Sequence, residues 1–245
     1  MDWGRAKTIL IVSFLFLNVL LGYQLWVTRF SQTYSETDTA SIIEETNKLL
    51  AIKNIRVLAD VPKDTPKLGQ ITVKLPEKYR DAKKVTLQQP IKYVNLISRS
   101  GLKEVIAKLP VENATAYKLD TALSRDDEYV FYQMMTDMPL FDATLHLYGQ
   151  KGEINGFKQT KVEVQSGGEH KEQKVISAYT AIRSLAENLP EGSVIADVRL
   201  GYHGQQFDSE TQVLLPTWRV VLAEGGPYYV QAFNGELERP QEQRK

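Results

Sequence analysis

Cysteine is absent from this chain. That single absence rules out a disulfide framework, a thiolate metal site and a thiol nucleophile. An excess of charge is missing as well. Thirty basic residues balance thirty acidic ones, and the formal net charge is zero. No field of either sign steers a nucleic acid or an acidic polymer towards such a chain. Histidine is sparse, with His146, His170 and His203 the full set. Neither an H-E-x-x-H helix nor a G-x-S-x-G elbow occurs. There is no EF-hand spacing, and Gly149, Gly152 and Gly156 read as hairpin glycines rather than a phosphate loop. Short-period repeats and low-complexity tracts are missing too.

A long apolar run is present. From Thr8 to Thr28 no side chain is charged over 21 residues. At about 1.5 Å per residue that is roughly 31 Å of helix, against about 30 Å of bilayer hydrocarbon. Arg5 and Lys7 precede the run, with Asp2 the one acid before it, and Arg29 follows. Short Lys/Arg-rich flanks stay in the cytoplasm. The amino end is therefore expected inside and the chain beyond residue 28 outside. A cleaved signal peptide is the alternative, but the run is long for one and no A-x-A-like site follows. Tyr23, Trp26 and Arg29 are instead the interfacial residues that close a span.

Asn18 lies near the middle of this run, where a polar amide costs free energy unless it finds a hydrogen-bond partner. Gly22 is one turn further on the same face, shared with Ile11, Phe14 and Leu25. A small and a polar residue on one stripe is how membrane helices meet. Phe14, Asn18, Gly22 and Leu25 are thus the candidate partner-binding residues. The plainer reading is that Asn18 bonds its own backbone.

The expected division is a cytoplasmic tail over 1–7, a transmembrane helix over 8–28 and a juxtamembrane linker over 29–36. Two α+β modules come after these, over 37–166 and 167–245. In the first, the pattern predicts a helix over 37–51 and strands over 54–59 and 70–75. A loop over 76–93 and a short helix near 102–109 come next. From 114 the texture is β: strands over 114–119 and 128–134, a corner at 138–141, then strand, turn and strand over 144–157. The links are too short for parallel crossovers, so this is an antiparallel meander. In the second module a helix over 172–189 places Val175, Tyr179, Ile182, Ala186 and Leu189 on one stripe. Strands over 193–202, 213–223 and 228–233 complete it. Helix then strands, twice over, predicts an α+β fold of antiparallel sheets with helices on one face.

The remaining chemistry reads as structural. His146 alternates inside a strand, and His203 lies in a turn by composition. Asp38-Thr-Ala and Asp120-Thr-Ala echo the paired carboxylates of an aspartic protease. Asp38 serves equally as a helix cap and Asp120 as the end of a strand, so the echo is read as chance. Trp218, Tyr228, Tyr229 and Phe233 are the cross-strand aromatics that sheets favour, and core packing accounts for them. No catalytic, cofactor-binding or metal residue is assigned, and the chain is read as not an enzyme.

Three stretches carry a resemblance. They are Met1-Asp-Trp-Gly-Arg-Ala-Lys7 running on to Leu17-Asn-Val-Leu-Leu-Gly22, then Met138-Pro-Leu-Phe-Asp142 with Gly152-Glu-Ile-Asn-Gly156, and the ending Leu215-Pro-Thr-Trp218 with Tyr228-Tyr-Val-Gln-Ala-Phe-Asn-Gly235. Together they resemble the YycI (WalI) family over essentially the whole chain, and the closing hairpin also looks like that of PepSY-like domains. The resemblance implies a single-pass membrane regulator of low-GC Gram-positive bacteria, with no catalytic residues to carry over. It implies a YycH-like partner. It also implies modulation of the sensor histidine kinase YycG (WalK), which controls cell-wall metabolism, with the membrane helix in kinase contact. The alternative is an extracytoplasmic wall- or ligand-binding module on a passive anchor.

Overall fold

The computed structural model describes residues 7, 10–21, 36–93, 105–125, 127–150, 152–165, 171–204 and 209–238. The chain forms two compact units, Met1–Glu44 and Glu45–Lys245. In the first, residues 10–21 are helical and all exposed. Among the described residues no helix is long and apolar enough to cross a membrane, and this helical stretch is described only as far as Leu21. Gly22, Tyr23, Leu25, Trp26 and Arg29 lie outside the described residues, as does His170.

The second unit is a mixed sheet backed by helices. Helix α1 (Glu36–Ile52) leads into β1 (Arg56–Val57), β2 (Lys67–Leu68) and β3 (Ile71–Lys74). The stretch expected to be loop holds a helical turn, α2 (Glu77–Arg80), and β4 (Val85–Lys92). Strand β4 pairs only at its two ends, around a bulge between Thr86 and Ile91. Pro90, which has no N–H to give a ladder, lies in that bulge, so a mostly polar segment still pairs.

The meander is confirmed and longer than expected. It comprises β5 (Tyr117–Arg125), β6 (Glu128–Met135), β7 (Met138–Gln150) and β8 (Glu153–Gln159). The corner expected at 138–141 is the start of β7. The chain turns instead just before it, with Thr136 at φ 55°. The short β9 (Glu163–Val164) pairs with β3.

Strand β10 (Gln173–Lys174) pairs with β2, which delays α3 to Ala178–Ala186. Ser177 Oγ accepts the Thr180 N–H at 3.1 Å and fixes that start as an N-cap. Val175, expected on the helix stripe, precedes the helix and is buried all the same. Then come β11 (Val194–His203), β12 (Thr211–Leu222), β13 (Pro227–Gln231) and β14 (Leu237–Glu238).

Period-two alternation splits β12 between two environments. Trp218, Val220 and Leu222 join Ile182, Leu185 and Leu50 in one core beneath the helices. Trp218 also donates its indole N–H to Ile176 O at 3.0 Å. Thr217 and Arg219 point the other way. Helix α1 docks beside α3 through Lys53, whose Nζ donates to the carbonyls of Ala186 and Glu187 at 2.8 Å each. That cation satisfies carbonyls that α3 leaves open at its carboxyl end.

The expectation of purely antiparallel pairing is corrected at two places. Strand β1 runs parallel to β11, and β11 meets β7 in parallel at the single pair Tyr202 and Leu140. The expected division at residues 166 and 167 marks no break in the sheet. Strand β1 and helix α1 lie before it, yet they build one core with α3, β11 and β12, which lie after it. Strand β11 thus belongs to both halves, and Gly201 makes the crossing possible. An added Cβ there would stand 2.5 Å from Pro139 O and 2.6 Å from the Phe141 ring.

Candidate functional site

Of the four residues predicted to bind a partner, Phe14 and Asn18 are described. Gly22 and Leu25 are not. Asn18 Nδ2 donates to Phe14 O at 2.9 Å, one turn back along its own helix. This is the plainer of the two sequence readings, and it satisfies one amide hydrogen. Asn18 belongs to an exposed surface that includes Phe14, Leu15 and Phe16.

A second constellation went unrecognised in the sequence. Strands β7, β6 and β5 curl so that Asp120, three strands away from β11 in hydrogen-bonded order, meets side chains of β11 and β12. Arg219 Nη2 lies 2.7 Å from Asp120 and 2.6 Å from Asp197. Arg199 closes the ring, 3.1 Å from Asp120 and 3.3 Å from Asp197. The N–H groups of Ala122 and Leu123 also bond Asp120, at 3.1 and 3.0 Å. Arg219 Nε and Nη1 have no hydrogen-bond partner among the described residues. The guanidinium carbon instead sits 5.1 Å from the Tyr132 ring and 5.2 Å from that of Phe141, a cation–π arrangement. Burial works against the Arg219 charge, yet Tyr132, Asp120 and Asp197 together raise its pKa.

Strand β11 ends on His203, which is therefore in a strand and not in the turn that composition suggested. Its Nδ1 stands 2.7 Å from Asp142 Oδ1, off the line of a well-formed hydrogen bond, and its Nε2 stands 3.2 Å from Glu238. The imidazole stacks on Tyr229 with ring centres 4.0 Å apart. Burial lowers the His203 pKa, but contact with Asp142 and the charges of Asp142 and Glu238 outweigh it, and the net shift is upward. Burial likewise pushes the Tyr229 hydroxyl well up.

His203, Asp142 and Tyr229 line a cleft of about 860 Å³ that Tyr79, Lys83 and Lys158 also line. Asp38, expected to cap a helix, lies inside α1 instead, because that helix begins at Glu36. His146 is a half-buried strand residue paired with Glu128 at 2.7 Å, and Asp120 is spent on arginines, although within β5 rather than at a strand end. Among the described residues no cluster of three or more His, Asp or Glu side chains is placed to hold a metal.

A curled mixed sheet with helices on one face, whose buried charges pair with one another, defines a sheet-dominated α+β protein with architectural ion pairs. The family model described as YycI protein matches residues 34–233, and the chain belongs to that family. It is a family of regulatory proteins rather than of enzymes. No curated protein matches. Among solved structures, an uncharacterized protein from Eubacterium rectale ATCC 33656 aligns with TM-score 0.40 and 11% identity. That alignment covers 85% of this chain and 83% of the other, a likeness too distant to bear on function.

Proposed function

We propose that this protein is a membrane-anchored accessory regulator that acts with a YycH-like partner on the WalK/YycG sensor kinase. The family match over residues 34–233 carries the reading. Two features support the anchored part of it. The run from Thr8 to Thr28 has the length and flanking charge of an amino-in span. Over residues 10–21 large apolar side chains are exposed around the helix, a surface that water tolerates poorly. Phe14, Asn18, Gly22 and Leu25 form the proposed contact with neighbouring membrane helices, Asn18 through the acceptor its backbone bond leaves free. A protein that binds one signalling state of the kinase better than another shifts the balance by that difference in affinity.

The test replaces residues 8–28 with an unrelated apolar helix of equal length. Loss of kinase-dependent transcription, with export and abundance preserved, is the expected outcome. Unchanged transcription would exclude the membrane contact. It would favour the second reading, a ligand-binding module on a passive anchor, which the cleft supports.

A further inference from the structure

The cleft beside β11 has a charge pattern that the ion pairs around it do not explain. Its carboxylate Asp142 is occupied by His203 and by the Gly204 N–H at 2.9 Å. Arg80 and Asp81, both exposed, are opposite in sign and adjacent in sequence. That leaves Lys83 at the rim and Lys158 on the β8 wall. Neither has an ion pair among the described residues, although lysines elsewhere in the unit do, as Lys74 does with Glu210 at 2.8 Å. Lys158 is also partly buried, where a cation without a counter-charge is costly.

The surroundings suit a ligand. Lys158 lies opposite His146 in register, on the face of the meander that also carries Thr144 and the buried Val130 and Tyr132. The hydroxyls of Thr144 and Thr160 add donors, and Tyr79 and Tyr229 add aromatic surface. About 860 Å³ is within the roughly 300–1,000 Å³ range of small-molecule sites.

We propose that this cleft binds a small anionic ligand bearing a carboxylate or phosphate, with Lys158 as its inner counter-ion and Lys83 at the mouth. The site is independent of any membrane contact, and its test uses the purified chain alone, so it stands or falls apart from the kinase reading.

The experiment is calorimetric titration of the full-length chain in detergent micelles with sodium phosphate and with sodium citrate, against matched sodium chloride. Saturable binding of either anion is expected, and which one binds separates phosphoryl from carboxylate recognition. Lys158→Gln weakens it about ten-fold or more, the scale of a lost charged hydrogen bond. Lys158→Arg keeps binding within a few-fold, which separates lost charge from lost folding. Lys92→Gln, on β4 outside the cleft, leaves binding unchanged. No saturable heat with either anion, or equal binding by wild type and Lys158→Gln, overturns the proposal and leaves Lys158 as a side chain reaching solvent on its aliphatic stem.

Discussion

Along residues 10–21, ten large apolar side chains are exposed, while in the sheet Asp120 and Arg219 carry charges with no exposure at all. Each region inverts the usual placement, and each inversion is legible as chemistry. Exposed apolar surface requires a nonaqueous neighbour, which the proposed bilayer and partner helices supply. Buried charge requires an internal counter-charge, which the ring of Asp120, Arg219, Asp197 and Arg199 supplies. The first region depends on something outside the chain. The second is complete within it.

The largest expected effect breaks the second region. Arg219→Met leaves Asp120 buried beside a single remaining arginine and costs about 3–5 kcal/mol. The check is a lower urea midpoint at unchanged m-value. Combining Arg219→Met with Asp120→Leu removes one charge of each sign and restores most of that loss, because a matched apolar pair no longer strands an ion. A double variant as unstable as the single would show that the ring matters for its shape rather than for its balance.

A smaller effect is expected from pH. The folded His203 is raised above its ordinary value of 6.5, with Asp142, Glu238 and Tyr229 facing it from β7, β14 and β13. The folded state therefore holds that proton more tightly than the unfolded chain does. Its stabilisation is fully present below pH 6.5 and is lost as pH rises through the raised folded value. The difference in unfolding free energy between wild type and His203→Gln should shrink over that interval. A difference independent of pH would mean that the contact is neutral in charge.

The smallest effect is expected in the first region. Asn18→Leu removes the bond to Phe14 O without touching the sheet, and should move the stability of unit 45–245 to urea by less than about 0.5 kcal/mol. Crosslinking in membranes from a probe at position 14, on the same face, should nonetheless lose its captured partner in this variant. Retained capture would place the contact elsewhere on the helix.

Much of the fold was readable because alternation and turn chemistry are local. The meander, the core face of β12 and the burial of Trp218 come from period two and from Gly152 and its neighbours. Local patterns could not reveal partnership at long range. Strand β1 pairs in parallel with a strand that begins at Val194, and nothing near Arg56 records that distance. The polar 76–93 stretch reads as loop until β8 offers it an edge. The candidate cleft was hidden for the same reason, since Tyr79, Lys158 and His203 come from three distant segments. One sign was present. Arg219 sits in Trp218-Arg-Val-Val-Leu222, and a charge inside an apolar strand calls for a buried acid. Asp120, which taken locally echoes a protease carboxylate, is the answer to that demand.

Gly201 carries a consequence for evolutionary drift. At Gly226 nothing lies within 4 Å of an added Cβ, and a lineage can wander there freely. At Gly201 every other amino acid would drive a carbon into Pro139 O and the Phe141 ring, at the one residue span where β11 passes from one half of the sheet to the other. No single compensating change relieves a clash with backbone. Homologues that keep this crossing should keep this glycine, and one without it should have rebuilt how its two half-sheets join.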